Sequence, residues 1–345
     1  MKNFIIYSSL IVLLIAIVTY IDNSVNIPKI TPYPQFKSRL GNHQNTISIM
    51  TYNIRFNFLD SNKQSWEYRK EKLLNNIKLK LPDILSIQED TFPQLNYLAK
   101  HLSKNYSYVT SFNDVPELLQ HNCIFYNKEK FIPVYNKTIW LNEKQKPNEL
   151  GWDGWCPRST TIAIFKTRAN PNEEFVVINA HLDHRGRKAR VEGTKQILSF
   201  LKKLLKERYP SSHPPIFFMG DLNESPKQAV DSLILKENFT DMWLSCQSEK
   251  DCAFGESYSS SFHYYFGDLV NNIIVRNLLN FVFYFQGLKF SQYNRYHIDH
   301  MYYLNGNNTY IQPLYASMPS DDLHIDQSGI YASDHFPLFG VFKLR

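Results

Sequence analysis

Ile47 to Ile54, read Ile-Ser-Ile-Met-Thr-Tyr-Asn-Ile, alternates apolar and polar positions over its first half and predicts a strand. Ser65 then stands where it can cap a helix running from Trp66 to about Lys80, with Leu73, Leu74 and Ile77 on one face. Pro82 stops that helix. Ile84 to Gln88 is a short apolar strand that delivers Glu89, and a helix follows through Gln94–Leu102. The pattern predicts further strands at 107–111, 122–127, 138–141, 160–166 and 175–181. A long helix from about Arg190 to Arg208 carries Val191, Ile197, Leu198, Leu201 and Leu205, and Ile216 to Met219 forms a buried strand. Later strands are expected at 298–304 and 337–343. No repeat or compositional break divides residues 45–345, which predicts one domain of packed sheets with helices outside.

The N-terminus has a different character. Phe4 to Ile21 is nearly all apolar, between Lys2 and Asp22. Its length is just enough to span a bilayer and long for a signal-peptide core, so residues 1–21 are expected to be a signal anchor or a signal peptide. Residues 22–44 are polar, carry Pro28, Pro32 and Pro34, and are expected to form a stalk. Either version places the rest of the chain outside the cytosol, anchored to the membrane or secreted. Four cysteines are compatible with disulfides there, and Cys246 and Cys252 are close enough to close a small loop. Asn-x-Ser/Thr sequons at Asn105, Asn136, Asn238 and Asn307 agree with a secretory route.

Composition narrows the class. With 345 residues, 43% apolar and 20% charged, the chain can bury a large core, and a disordered protein is excluded. The net charge of +6 is compatible with an anionic substrate but is not by itself a nucleic-acid signature.

Chemistry-bearing residues recur where the apolar strands stop. Asn53, Glu89, His181 with Asp183 and His184, Gly220-Asp221-Leu222-Asn223, Ile298-Asp299 and Ser333-Asp334-His335 all sit at strand boundaries. Oxygen donors from Glu89, Asp334 and Asn53 suit a hard divalent cation, Mg²⁺ or Mn²⁺. No Cys/His zinc spacing, Gly-x-Ser-x-Gly, Walker or Rossmann motif is present. A metal can neutralise a phosphoryl oxygen, Asn and His can donate to the others, and Asp221 is placed as the carboxylate for an attacking water.

At Thr51-Tyr52-Asn53-Ile54-Arg55, Gln88-Glu89, Asn179-Ala180-His181-Leu182-Asp183-His184, Gly220-Asp221-Leu222-Asn223, His297-Ile298-Asp299-His300 and Ser333-Asp334-His335-Phe336-Pro337 the chain resembles the endonuclease/exonuclease/phosphatase superfamily. Trp140-Leu141-Asn142, Gly151-Trp152-Asp153 and Pro157-Arg158 look like a poorly characterised bacterial-type branch. The resemblance implies an α+β fold, a four-layer αββα sandwich of two mixed sheets with outer helices, over 45–345. It also implies that Asn53 and Glu89 bind Mg²⁺ with Asp334 near the same ion. Asp221 would align or deprotonate the water, Asn223 would hold the phosphate, and His335 would pair with Asp299 and touch the scissile phosphate. His181 would be a phosphate ligand or general acid, Asp183 would belong to substrate binding, and Arg158 would be a phosphate donor there or else part of a surface or structural salt bridge.

Two departures stand out. About thirty residues, 264–296, separate Phe262-His263 from His297-Ile298-Asp299, and they include the apolar run 273–285. They are expected to form an extra core element, a dimer surface, or a lid or membrane-touching hairpin. His300 stands where an aromatic is usual. The expected activity is that of a Mg²⁺-dependent phosphoesterase, most simply a nuclease-type phosphodiesterase. A lipid or inositol phosphoesterase and an inactive binding domain are the alternatives. Arg185, Arg187, Lys188 and Arg190 could track a nucleic-acid backbone or simply open a solvated helix. No protein partner is expected.

Overall fold

Thirteen strands form two sheets in a computed structural model that describes residues 33–40, 45–58, 60–110, 120–255, 261–263, 265, 297–318 and 331–345. They are β1 Thr46–Asn53, β2 Ile84–Gln88, β3 Tyr106–Val109, β4 Ile124–Asn127, β5 Phe131–Trp140, β6 Ser159–Thr167 and β7 Glu174–His181. The remainder are β8 Ile216–Asp221, β9 Thr240–Asp241, β10 Ala253–Phe254, β11 Asp299–Leu304, β12 Ile311–Ser317 and β13 Leu338–Leu344. One sheet has the order β10-β12-β13-β1-β2-β4-β3, the other β5-β6-β7-β8-β11-β9. Both are mixed: β1–β2 and β7–β8 run parallel, and most other pairs antiparallel.

Period-two alternation separates the layers. Phe175, Val177, Phe217 and Met219 face the first sheet across a shared core, while Val176, Ile178, Ile216 and Phe218 face the helix Arg187–Arg208 and the helix Ala229–Lys236. Leu73, Leu74 and Ile77 of the helix Trp66–Lys80, with Leu95 and Leu98 of the helix Phe92–Leu102, cover the other side of the first sheet. This is the expected αββα order.

The expected elements return within a few residues, with instructive exceptions. β5 begins at Phe131 rather than near 138, and β12 was not expected. Each contains a proline, and its register shifts there, between Pro133 and Tyr135 and between Pro313 and Tyr315. Such bulges break the alternation that marks a strand. The stalk expectation is corrected in its second half. Tyr33–Leu40 is a helix whose Tyr33 and Phe36 rings lie 4.8 Å from Phe339 and 4.6 Å from Tyr315. Cys246 and Cys252 form the expected disulfide, whereas Cys123 and Cys156 are free. The segment 4–21 and nearly all of 264–296 lie outside the described residues. Among the described residues no helix is long and apolar enough to cross a membrane.

Candidate active site

Strand register gathers the strand-end residues at one end of both sheets. β1 and β2 end together as Asn53 opposite Gln88, and β7 and β8 end together as His181 opposite Asp221. β11 begins there, with Asp299 opposite Asp221. β13 runs antiparallel to β1, so Ser333-Asp334-His335, just before it, return to the same end. Gly220 makes the β7–β8 approach possible. Its φ is +141°, and a Cβ there would meet the Ala180 carbonyl oxygen at 1.9 Å, so no other residue fits before Asp221. Glu89, Arg55 and Asn223 adopt left-handed backbone at φ 64°, 55° and 50°, local strain concentrated where the strands hand over to the site loops.

The side chains converge on Asp221. Asn53 Nδ2 donates to Asp221 Oδ2 at 2.9 Å and to Glu89 Oε1 at 3.1 Å, so one amide ties two carboxyl groups together. The same Asp221 oxygen lies 3.5 Å from His181 Nε2 and 3.8 Å from His335 Nε2. His335 Nδ1 is 2.8 Å from Asp299 Oδ2. Burial, then the charge of Asp299, pushes the Asp221 carboxyl up to about 7. Burial alone would lower the His335 imidazole, but the charge and hydrogen bond of Asp299, with Asp221 and Asp334, raise it to about 10. His181 moves the other way, well below the ordinary histidine value, through burial and then the charge of Arg158.

A second group sits beside this one. Glu89 Oε2 accepts from the Phe56 backbone N–H, and Asp334 Oδ2 lies 3.7 Å from Arg55 Nη1. Arg55 is also held bidentate by Asp60. Burial raises the Asp334 carboxyl, against the pull of His335 and Arg55. A divalent cation fits these donors. Four carboxyl groups, Glu89, Asp221, Asp299 and Asp334, are buried at one strand end, and Asp299 Oδ1 is buried with no hydrogen-bond partner. Asp221, Asp299 and His335 offer ligand atoms within 4.8 Å of one another, two carboxylate oxygens and one imidazole nitrogen, a set that a divalent cation accepts.

The remaining expected site residues divide. Asp183 is a correction: its Oδ1 accepts from the N–H groups of Arg185 and Gly186, and its Oδ2 from those of Trp155 and Cys156. With both oxygens taken up by backbone N–H groups, which despite burial hold the carboxyl below its ordinary value, it shapes two loops and turns no free acceptor to a substrate. Asn223 is half-buried and donates one of its two amide hydrogens to the Leu182 carbonyl. Arg158 is buried and directs Nη1 to Gln120 and His181 and Nη2 to His184. Arg190 is drawn to the Asp183 carbonyl and Glu224, while Arg185, Arg187 and Lys188 are exposed. His300 fills the place of the usual aromatic by stacking on Tyr302 and bonding the Glu224 carbonyl.

Sequence reasoning missed the supports. Ser261 Oγ accepts from the N–H groups of Ile298 and Asp299, and Ser333 Oγ donates to the Asn53 carbonyl. Arg69, fully buried, donates to carbonyls on either side of the cleft. Only the unusual arginine on the apolar side of the helix Trp66–Lys80 could have signalled it.

Two packed mixed sheets with this strand-end cluster define an α+β phosphoesterase fold. Residues 50–335 match the Endonuclease/Exonuclease/phosphatase family, and the chain belongs to it. A mannosyl-6-phosphatase from Bacteroides thetaiotaomicron superposes with a TM-score of 0.66 at 22% identity, over 87% of this chain and 99% of that one. The human Nocturnin catalytic domain with bound sulfate gives 0.60 at 17%, over 87% and 94%. D. rerio TDP2 complexed with single-strand DNA product gives 0.59 at 16%, over 87% and 100%. A curated relative, an uncharacterized protein of Acanthamoeba polyphaga mimivirus, is 24% identical over 176 residues, 49% of this chain and 63% of its own length.

Proposed function

We propose that the protein is a divalent-metal-dependent phosphoesterase, and that its substrate is a phosphodiester of nuclease type. The convergence of Asn53, His181 and His335 on one oxygen of Asp221 carries this reading. Asp221 orients the attacking water and takes its proton, while the Asn53 amide keeps the carboxyl group from turning away. His335, held by Asp299, donates to a phosphoryl oxygen and opposes its charge. His181 and the free amide hydrogen of Asn223 are the further donors. Glu89, Asn53 and Asp334 would hold Mg²⁺ or Mn²⁺, which when bound supplies charge neutralisation at the phosphoryl group and the leaving oxygen.

The exposed Arg185, Arg187 and Lys188 support a polyanionic substrate, as does the single-strand DNA product named for TDP2. A phosphomonoester is the second reading, favoured by the higher TM-score of the mannosyl-6-phosphatase. The lipid alternative rests on the N-terminal apolar segment 4–21 and the apolar run 273–285, both outside the described residues. The test is hydrolysis by the purified protein with Mg²⁺ of single-stranded DNA, RNA, sugar 6-phosphates, sphingomyelin and phosphoinositides. Turnover of DNA or RNA supports the diester reading. Turnover of sugar phosphates alone replaces it with the second, and none with any ester removes the enzyme reading in favour of a binding domain.

An extracytoplasmic body is part of this proposal. The Cys246–Cys252 disulfide and the exposed positions of Asn105, Asn136, Asn238 and Asn307 support it. Expression in a eukaryotic secretory host followed by glycosidase treatment checks it: a mass unchanged by the enzyme would count against the secretory route.

A further inference from the structure

The two site histidines are held through their Nδ1 atoms by groups of opposite hydrogen-bonding character. His335 Nδ1 faces the Asp299 carboxyl at 2.8 Å, an acceptor, so that nitrogen carries a hydrogen. His181 Nδ1 faces Arg158 Nη1 at 3.0 Å. A guanidinium has five N–H donors and no acceptor, so the nitrogen it meets must present a lone pair. The imidazole hydrogen of His181 is therefore on Nε2, the atom 3.5 Å from Asp221 Oδ2. A proton added to Nδ1 would set N–H against N–H inside a site where His181 is 1% exposed.

We propose that Arg158 is a positioning residue that fixes the Nε2–H tautomer of His181, making it a one-hydrogen donor to the reaction centre and not a protonated general acid. Gln120 Oε1, 3.1 Å from the same Nη1, and His184 Nδ1, 3.3 Å from Nη2, hold the guanidinium in its plane. The same logic gives His184 a lone pair on Nδ1 and its hydrogen on Nε2. The site thus divides its histidine chemistry. His335 can carry charge because Asp299 accepts from it, and His181 cannot, because Arg158 only donates. Arg158 then reaches a substrate through His181 and not by direct contact, which replaces the expectation that it binds phosphate itself.

This assignment gives a role within the proposed phosphoesterase reading, yet its test needs no substrate. In protein carrying ¹⁵N-histidine, two-bond nitrogen–proton correlation spectra distinguish the two neutral tautomers and the doubly protonated ring, with the His181 signals identified by their loss in His181→Gln. The wild-type protein should show His181 as the Nε2–H tautomer at neutral pH. Arg158→Met should convert it to a mixture of tautomers, and Arg158→Lys, which keeps a single donor group, should restore most of the Nε2–H form. An Nδ1–H or doubly protonated His181 in the wild type would overturn the assignment, as would an unchanged spectrum in folded Arg158→Met. If Arg158→Met does not fold, the wild-type spectrum alone decides. Should no phosphate ester be hydrolysed while the tautomer is as stated, the functional reading fails and this assignment stands.

Discussion

Asp299 starts β11 in one sheet and His335 lies just before β13 of the other, yet Oδ2 of one lies 2.8 Å from Nδ1 of the other. The aspartate is the main reason that the imidazole rises to about 10 despite burial. A histidine raised in the folded state contributes stability that is complete below its unfolded value near 6.5 and is lost as pH climbs through about 10. Asp299→Asn removes the charge and keeps the shape. It should narrow this window and move the alkaline limb of kcat/KM to lower pH, which a pH–rate profile on a confirmed substrate measures. An alkaline limb unmoved by the substitution would mean that His335 is not the group titrating there.

The proposed metal dependence rests on the buried carboxyl groups gathered at the site. EDTA should abolish hydrolysis, and added Mg²⁺ or Mn²⁺ should restore it. Glu89→Ala should lose activity while the thermal transition stays sharp, because among the described residues Glu89 hydrogen-bonds just Asn53 and the Phe56 N–H. Full turnover in EDTA would refute the metal.

Asp221→Asn separates charge from shape. General-base groups contribute roughly 10²–10⁴-fold, so kcat should fall by about that range. Stability should move oppositely. The carboxyl is raised to about 7, so the folded protein holds a proton that the unfolded chain releases near 3.8. Stability is therefore lost as pH rises between those values. In EDTA at pH 8 the Asn variant should melt above the wild type, and at pH 5 the gain should shrink. His335→Ala combined with Asp221→Asn should cost less than the product of the two, since one transition state uses both. A wild-type kcat in Asp221→Asn would remove this aspartate from the chemistry.

Much of this site was legible because strand endings are marked twice, by the end of an apolar run and by the polar residue that follows it. Asn53, Glu89, His181 and Asp221 carry both marks, and the register brings their four strands to one end, where β11 starts with Asp299. Asp183 carried the same marks and misled: whether a strand-end carboxyl faces substrate or four backbone N–H groups depends on loops 151–156 and 184–186 folding around it. Arg158 was recognised, but its partners come from β7 and the residue Gln120, far apart in sequence. The helix Tyr33–Leu40 was hidden because its stabilisation is tertiary. Its own sequence is mostly polar, with Pro32 before it and Pro34 in its first turn, and among the described side chains Tyr33 and Phe36 tie it to the core.

Buried neutral histidines should make the protein acid-sensitive. Burial, helped by the neighbouring His300, lowers His297 to about 4, below its ordinary value near 6.5. Between these values the unfolded chain binds a proton that the folded protein refuses, so stability falls as pH drops through that window. Wild type should lose more of its urea midpoint between pH 7 and pH 5 than His297→Gln does. Equal losses would show that His297 is already protonated when folded.

Arg69 joins the fold to the chemistry. It is fully buried on the helix Trp66–Lys80 and donates through Nε, Nη1 and Nη2 to five carbonyls: Gln64, Ile54, Ala332, Arg55 and Phe56. Ile54, Arg55 and Phe56 follow Asn53 on the β1 side of the cleft, and Ala332 precedes Ser333, Asp334 and His335 on the β13 side. One side chain therefore holds together the two loops that present Asn53 and Asp334. A buried acceptor left without a partner costs about 1–3 kcal/mol, and several are lost at once in Arg69→Ala. The net loss should be about 3 kcal/mol or more, since water entering the cavity recovers part of it. Arg69→Lys should recover only a fraction, because three ammonium hydrogens on a point charge cannot span five acceptors set around a planar fork. Both variants, assayed well below their melting temperatures, should need more Mg²⁺ for half-maximal activity, as Asp334 and Asn53 are no longer held in register. Chemical denaturation and a metal titration of the same samples check the two parts. A variant destabilised by several kcal/mol but with the wild-type Mg²⁺ requirement would leave Arg69 as a fold residue with no hold on the site.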